Sequence, residues 1–99
     1  MRLAQDQVLA IKSVARRVLG DDARVILFGS RTDDKQRGGD IDLLFETPHL
    51  VGNRVTAMGQ IYVGLIRELG DRKIDVLLSD PDTPDAPVLR VARQSGVVL

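Results

Sequence analysis

A chain of 99 residues with 43% hydrophobic side chains has the size and apolar content of one small globular domain, and it is too apolar for a disordered segment. Fourteen basic and fourteen acidic residues cancel to a formal net charge of zero, and only Phe28, Phe45 and Tyr62 are aromatic, so no extended nucleic-acid interface is expected. The absence of cysteine excludes disulfides and thiolate metal sites.

Val8, Ile11, Ala15 and Val18 recur at helical spacing and predict a helix over 5–19, with Gly20 where a C-terminal cap belongs. Asp6, Lys12, Arg16 and Arg17 interrupt this stretch too often for a signal-peptide core or a membrane span. No later stretch approaches the roughly 18 apolar residues that a spanning helix needs, so a soluble, cytoplasmic protein without membrane association is expected. Arg24-Val25-Ile26-Leu27-Phe28 is a short β-branched run that reads as a buried strand, and it stops at Gly29-Ser30. Residues 31–39 are polar, end in Gly38-Gly39 and read as a loop.

Asp40 to Glu46 reads as a second strand, closed by Thr47-Pro48, with two carboxylates where strands rarely hold them. Val55, Met58, Tyr62, Leu65 and Leu69, widened by Ile61 and Ile66, mark a second amphipathic helix that ends at Gly70-Asp71. Lys73 to Leu78 alternates as a third strand, with Ile74, Val76 and Leu78 on one face and Asp75 and Leu77 on the other. Asp80 to Pro87 holds three of the four prolines and reads as a loop. A short helix over Pro87 to Ser95 follows, then Gly96 and Val97-Val98-Leu99. The order predicts an α/β (α+β) fold over 1–99, a single domain with a small mixed β-sheet flanked by helices.

Asp40 and Asp42 stand two apart in a strand, so they project from one face with their backbones about 6.6 Å apart. Ile41 and Leu43 turn to the opposite, buried side. Like charges placed together repel unless a cation neutralises them. Oxygen ligands with no histidine or cysteine nearby suit Mg²⁺ or Mn²⁺. Two such ions about 3.5–4 Å apart can activate an attacking oxygen and stabilise a leaving pyrophosphate. A strand that ends in Gly29-Ser30 lets backbone approach a phosphate closely, with N–H groups and a hydroxyl as donors. Arg31, Lys35 and Arg37 in the following loop could hold triphosphate charge. The plain alternative is acidic residues that solvate an edge strand. An EF-hand reading of Asp33-Asp34 to Gly38 fails, because the Asp-x-Asp-x-Asp-Gly spacing and the closing glutamate are both missing.

The combination FGSR…GGDIDLL resembles the polymerase-β-like nucleotidyltransferases, specifically their minimal stand-alone members. The likeness covers nearly the whole chain, because the helices and the KIDVLL strand also fall in the expected order. It implies a nucleotidyltransferase core, Gly29 and Ser30 on the phosphates of a nucleoside triphosphate, and Asp40 and Asp42 on the metals. It further implies Asp75 as the third catalytic and metal-binding carboxylate, from a neighbouring strand; an aspartate salt-bridged to Lys73 or an arginine is the alternative there. Two departures fall in the loop and bear on nucleotide preference rather than metal binding. The spacer before Asp-x-Asp is often one residue longer in relatives, and Thr32-Asp33-Asp34 replaces the small Ala-Arg-Gly step that commonly follows Gly-Ser-Arg.

Minimal relatives are commonly encoded beside an all-helical HEPN protein as antitoxin and toxin, which implies transfer of AMP from ATP to a hydroxyl on that partner. The chain has material for a nucleotide site but little for an acceptor site, so a HEPN-type partner or a homodimer is expected to present the acceptor. The rivals are a non-catalytic module that masks its partner by contact, and an aminoglycoside-type small-molecule transferase; the latter needs an enclosed pocket that a short chain disfavours. Of the remaining polar residues, His49 reads as a surface residue, Glu46 as solvated beyond the metal centre, and Arg16 and Arg17 as solvent-facing. Tyr62 fits the apolar face of its helix.

Overall fold

The protein is described by a computed structural model over residues 3–29, 41–70 and 72–99. Helix α1 (Gln5–Leu19) is followed by strands β1 (Arg24–Phe28) and β2 (Ile41–Glu46), helix α2 (Arg54–Leu69), strand β3 (Ile74–Ser79), helix α3 (Pro87–Ser95) and the short strand β4 (Val97–Val98). The start of α1 is closed by Gln7, whose side chain accepts the Ala4 N–H at 2.9 Å. Asn53 caps α2 by accepting the Thr56 N–H at 3.0 Å, a bond that contributes about 1 kcal/mol. Pro87 occupies the first turn of α3, where its missing N–H has no helical partner to lose.

The strand order is β3-β2-β1-β4. β1 runs antiparallel to β2 and to β4, whereas β2 and β3 run parallel. Parallel neighbours need a crossover, and α2 supplies it. Alternation then sorts the side chains into two layers. Val25, Leu27, Ile41, Leu43, Phe45, Ile74, Val76 and Leu78 pack against α1 and α2. Ile26 and Leu44, with Phe28 and Leu77, pack against Leu89 and Ala92 of α3. β2 is covered on both faces, which explains why Leu43, Leu44 and Phe45 are consecutive apolar residues and all fully buried. Helices α1 and α2 approach closely at Gly64, where a Cβ would meet Arg17 Nη2 at 2.8 Å and both methyls of Val14 at 3.1 Å.

β3 is an edge strand, and its register fixes what that edge shows. Ile41 N–H bonds to Lys73 C=O and Thr47 N–H to Ser79 C=O, so the even-numbered residues of β3 point their backbone groups outward. Two of these groups are taken by α2: the Tyr62 hydroxyl accepts the Val76 N–H at 3.2 Å, and Arg54 donates to the Leu78 carbonyl at 2.7 Å.

Beyond β3, the buried carboxylate of Asp80 gathers its loop. It accepts the Val51 N–H at 2.9 Å, the Asp82 N–H at 3.1 Å and the Thr83 hydroxyl at 3.0 Å, and it pairs with Arg54 at 3.2 Å. The Val51 N–H foremost, then Thr83, Asp82 and the Arg54 charge, hold this carboxyl below its ordinary range against the opposing effect of burial. Among the described residues, no helix is long and apolar enough to cross a membrane.

Candidate active site

Phe28 and Asp42 are partners across the β1–β2 ladder, and Gly29 follows with φ +76°. That left-handed backbone costs an L side chain about 1–2 kcal/mol. Space makes the demand stricter, because a Cβ at Gly29 would collide with the Asp42 carboxylate oxygen. The glycine expected from sequence to admit a triphosphate has a structural duty here, letting the end of β1 pass directly beside Asp42.

On its other side Asp42 is in register with Asp75 of β3. Neighbouring strands lie about 4.8 Å apart, and alternation puts both carboxylates on the α3 side of the sheet, opposite Ile41, Leu43, Ile74 and Val76. Asp42 is half-buried and Asp75 exposed. Ion pairs among the described residues engage Asp22, Glu46, Asp80 and Asp85, and Asp75 takes part in none, so neither Lys73 nor an arginine neutralises it there. Asp40, Ser30 and Arg31, with Lys35 and Arg37, lie outside the described residues. Among the described residues no group of three or more metal-ligating side chains forms, and the face presents the pair Asp42 and Asp75.

Glu46 departs from the solvated position expected of it. It lies four residues after Asp42 on the same face of β2, half-buried, and accepts from Arg24 Nε at 2.8 Å and Arg93 Nε at 2.6 Å. Arg93 also donates to the Ser79 hydroxyl at 3.1 Å. Burial pushes the Glu46 carboxyl up, but the hydrogen bonds and charges of Arg24 and Arg93 outweigh it and hold it below its ordinary range. Glu46 thus clamps α3 onto the sheet. His49 lies at the surface as expected, with Nε2 2.8 Å from Asp22 Oδ2. Asp80 and its partner Arg54 were not singled out from sequence. The legible signal was Asp80-Pro81-Asp82-Thr83, a turn in which aspartate accepts the N–H two residues on.

A family model described as nucleotidyltransferase domain matches residues 9–91, which include the strand ends at Gly29, Asp42 and Asp75. The chain belongs to this nucleotidyltransferase family. No curated protein matches it. As a nucleotidyltransferase domain it has the polymerase-β-like fold, here three helices and a mixed sheet of four strands, and its activity class is nucleotidyl transfer. In a nucleotidyltransferase of this build, the end of β1 and the first half of β2 meet the start of β3 at Gly29, Asp42 and Asp75.

Proposed function

We propose that the chain is a magnesium-dependent adenylyltransferase that moves AMP from ATP to a hydroxyl of a helical HEPN-type partner, as the antitoxin of such a pair. The carrying observation is the register of Asp42 with Asp75, with the end of β1 pressed against Asp42 through Gly29. The donor set fits Mg²⁺ or Mn²⁺, since it is made of carboxylate oxygens. Asp42 and Asp75 would hold the ion together with Asp40, which the sequence sets two residues before Asp42. Bound there, the metal would neutralise charge on the phosphates and on the leaving pyrophosphate.

The remaining work belongs to the chain. Backbone unshielded by a side chain at Gly29, with Ser30 and Arg31, would bind the triphosphate. Asp75, exposed on an edge strand, would take the proton of the acceptor hydroxyl as its oxygen bonds to the α-phosphorus. The bond from the α-phosphorus to the bridging oxygen breaks, and pyrophosphate leaves with the electron pair. An exposed carboxylate at a sheet edge also supports an acceptor as large as a protein.

Incubation with α-labelled ATP, Mg²⁺ and the neighbouring HEPN-type protein tests the reading. Labelled partner and free pyrophosphate are expected, and Asp75→Asn should lower the rate at least about a hundredfold, equivalent to roughly 3 kcal/mol of barrier. A partner neutralised equally by wild type and by Asp42→Asn and Asp75→Asn, with no added mass, would replace this reading by a contact-only module.

A further inference from the structure

The outer surface of the helical layer carries a groove that the reaction does not use. Arg17 and Val18 form one wall and Gly59, Val63, Gly64 and Arg67 the other, around a cavity of about 560 Å³. Its α2 wall runs from Thr56 to Arg67, roughly 17 Å at 1.5 Å per residue. Arg17 Nη2 lies 2.8 Å from the point where a Cβ on Gly64 would stand, and Arg67 follows Gly64 by three residues on the same helix, so two guanidinium groups share one groove. Among the described residues, neither takes part in an ion pair and no carboxylate lines the cavity. Between them Val63 is 52% exposed and a Cβ at Gly59 would meet nothing within 4 Å, with the exposed, uncharged side chains of Thr56 and Gln60 beside them.

We propose that this groove docks an acidic amphipathic helix of a partner protein, its apolar side on Val18, Val63 and Gly59 and its carboxylates on Arg17 and Arg67. Three turns of open groove match a helix laid along α2, and a glycine with empty space above it admits close backbone approach. Charge sets the sign of the occupant, because two converging cations without a counter-ion are complementary to carboxylates. A nucleic acid fits less well, since among the described residues no aromatic side chain lines the groove to stack on a base. A twofold copy of the chain fits less well too, because face-to-face pairing would oppose the same arginines. The groove is built on the helices that cover the sheet face opposite Asp42 and Asp75, so a protein held here leaves the catalytic face open. Docking is therefore independent of nucleotide, and stands or falls apart from the adenylylation reading.

A phage-displayed library of helical peptides, selected against the full chain, supplies the probe. Enriched sequences should carry apolar residues at helical spacing, flanked by Asp or Glu. Their affinity, read by fluorescence anisotropy, should fall about tenfold or more in Arg17→Glu/Arg67→Glu and in Gly59→Leu, and stay unchanged in Arg90→Ala on α3. Gly59→Leu fills empty space and replaces a helical glycine, so its Tm should rise, and lost binding there cannot be lost folding. Enrichment of basic or uncharged peptides overturns the proposal, as does binding indifferent to both groove variants. Duplex DNA bound through Arg17 and Arg67, or self-association in sedimentation that Gly59→Leu abolishes, assigns the groove to another occupant and equally overturns it.

Discussion

Glu46 and Asp75 are carboxylates on the same side of the same sheet, one on β2 and the other on its parallel neighbour β3. Arg24 and Arg93 grip Glu46 at 2.8 and 2.6 Å, and Arg93 carries the clamp across to Ser79. Asp75 is exposed and enters no ion pair among the described residues. What differs is the delivery of arginines. The last turn of α3 brings Arg93 to the end of the sheet where Glu46 lies, while Asp75 faces Asp42 across the ladder at the other end. A carboxylate that receives two arginines becomes part of the framework. Asp75, in register with another carboxylate, receives no arginine among the described residues and stays out of the framework.

Three substitutions would sharpen that contrast or break it. The largest stability effect belongs to Gly29→Ala, which meets both a positive φ and the Asp42 carboxylate; urea denaturation should show a loss of at least about 2 kcal/mol. Wild-type stability in this variant would mean that Gly29 and Asp42 are not held against each other. Glu46→Gln should cost about 1–2 kcal/mol at pH 7, because it weakens two charge-assisted hydrogen bonds in a half-buried clamp.

The pH dependence of that loss has a definite sign. The folded-state pKa of Glu46 is lowered, so its stabilisation is fully present above the ordinary carboxylate value and disappears as pH falls through the lower folded one. Wild type and Glu46→Gln should therefore converge in acid, below about pH 4. A gap that widened in acid would contradict the clamp. Asp80, lowered in the same direction, remains in both proteins and steepens their common acid unfolding. The smallest effect is expected of Asp75→Asn, whose stability should stay within about 0.5 kcal/mol of wild type while transfer collapses. If Asp75→Asn and Glu46→Gln lost equal stability, the distinction drawn between the two ends of the sheet would fail.

Much of the framework was legible because it is locally encoded. Helical spacing marks α1 and α2, a β-branched run marks β1 and alternation marks β3, whereas the burial of Leu43, Leu44 and Phe45 on both faces of β2 emerges only with the packing of α3. The two-residue strand β4 has no local signature, since Val97-Val98 owes its state to pairing with Ile26 and Leu27 some seventy residues earlier. The clamp at Glu46 is hidden for a similar reason: alternation gives the face of a side chain but not the arginine that a later helix carries to it. Asp75 was reached only through family likeness, because one aspartate in an alternating strand has no signature. Its register with Asp42 is a property of the parallel pairing that α2 makes possible. The close approach of Gly29 to Asp42 likewise depends on the β1–β2 register, which no spacing within either strand reveals.

The two bonds that α2 makes to β3 have a consequence for the protein in a crowded solution. An outermost strand with unspent backbone groups is a template on which the strand of another molecule can grow. Here the outward N–H of Val76 is occupied by Tyr62 and the outward carbonyl of Leu78 by Arg54, so an incoming strand would have to break both bonds before it could align. Those side chains belong to the helix that also joins β2 to β3, so two of the edge's outward groups are occupied by the same element that creates the edge. At Val76 and Leu78 of the strand that bears Asp75, α2 itself therefore stands in the way of intermolecular sheet growth.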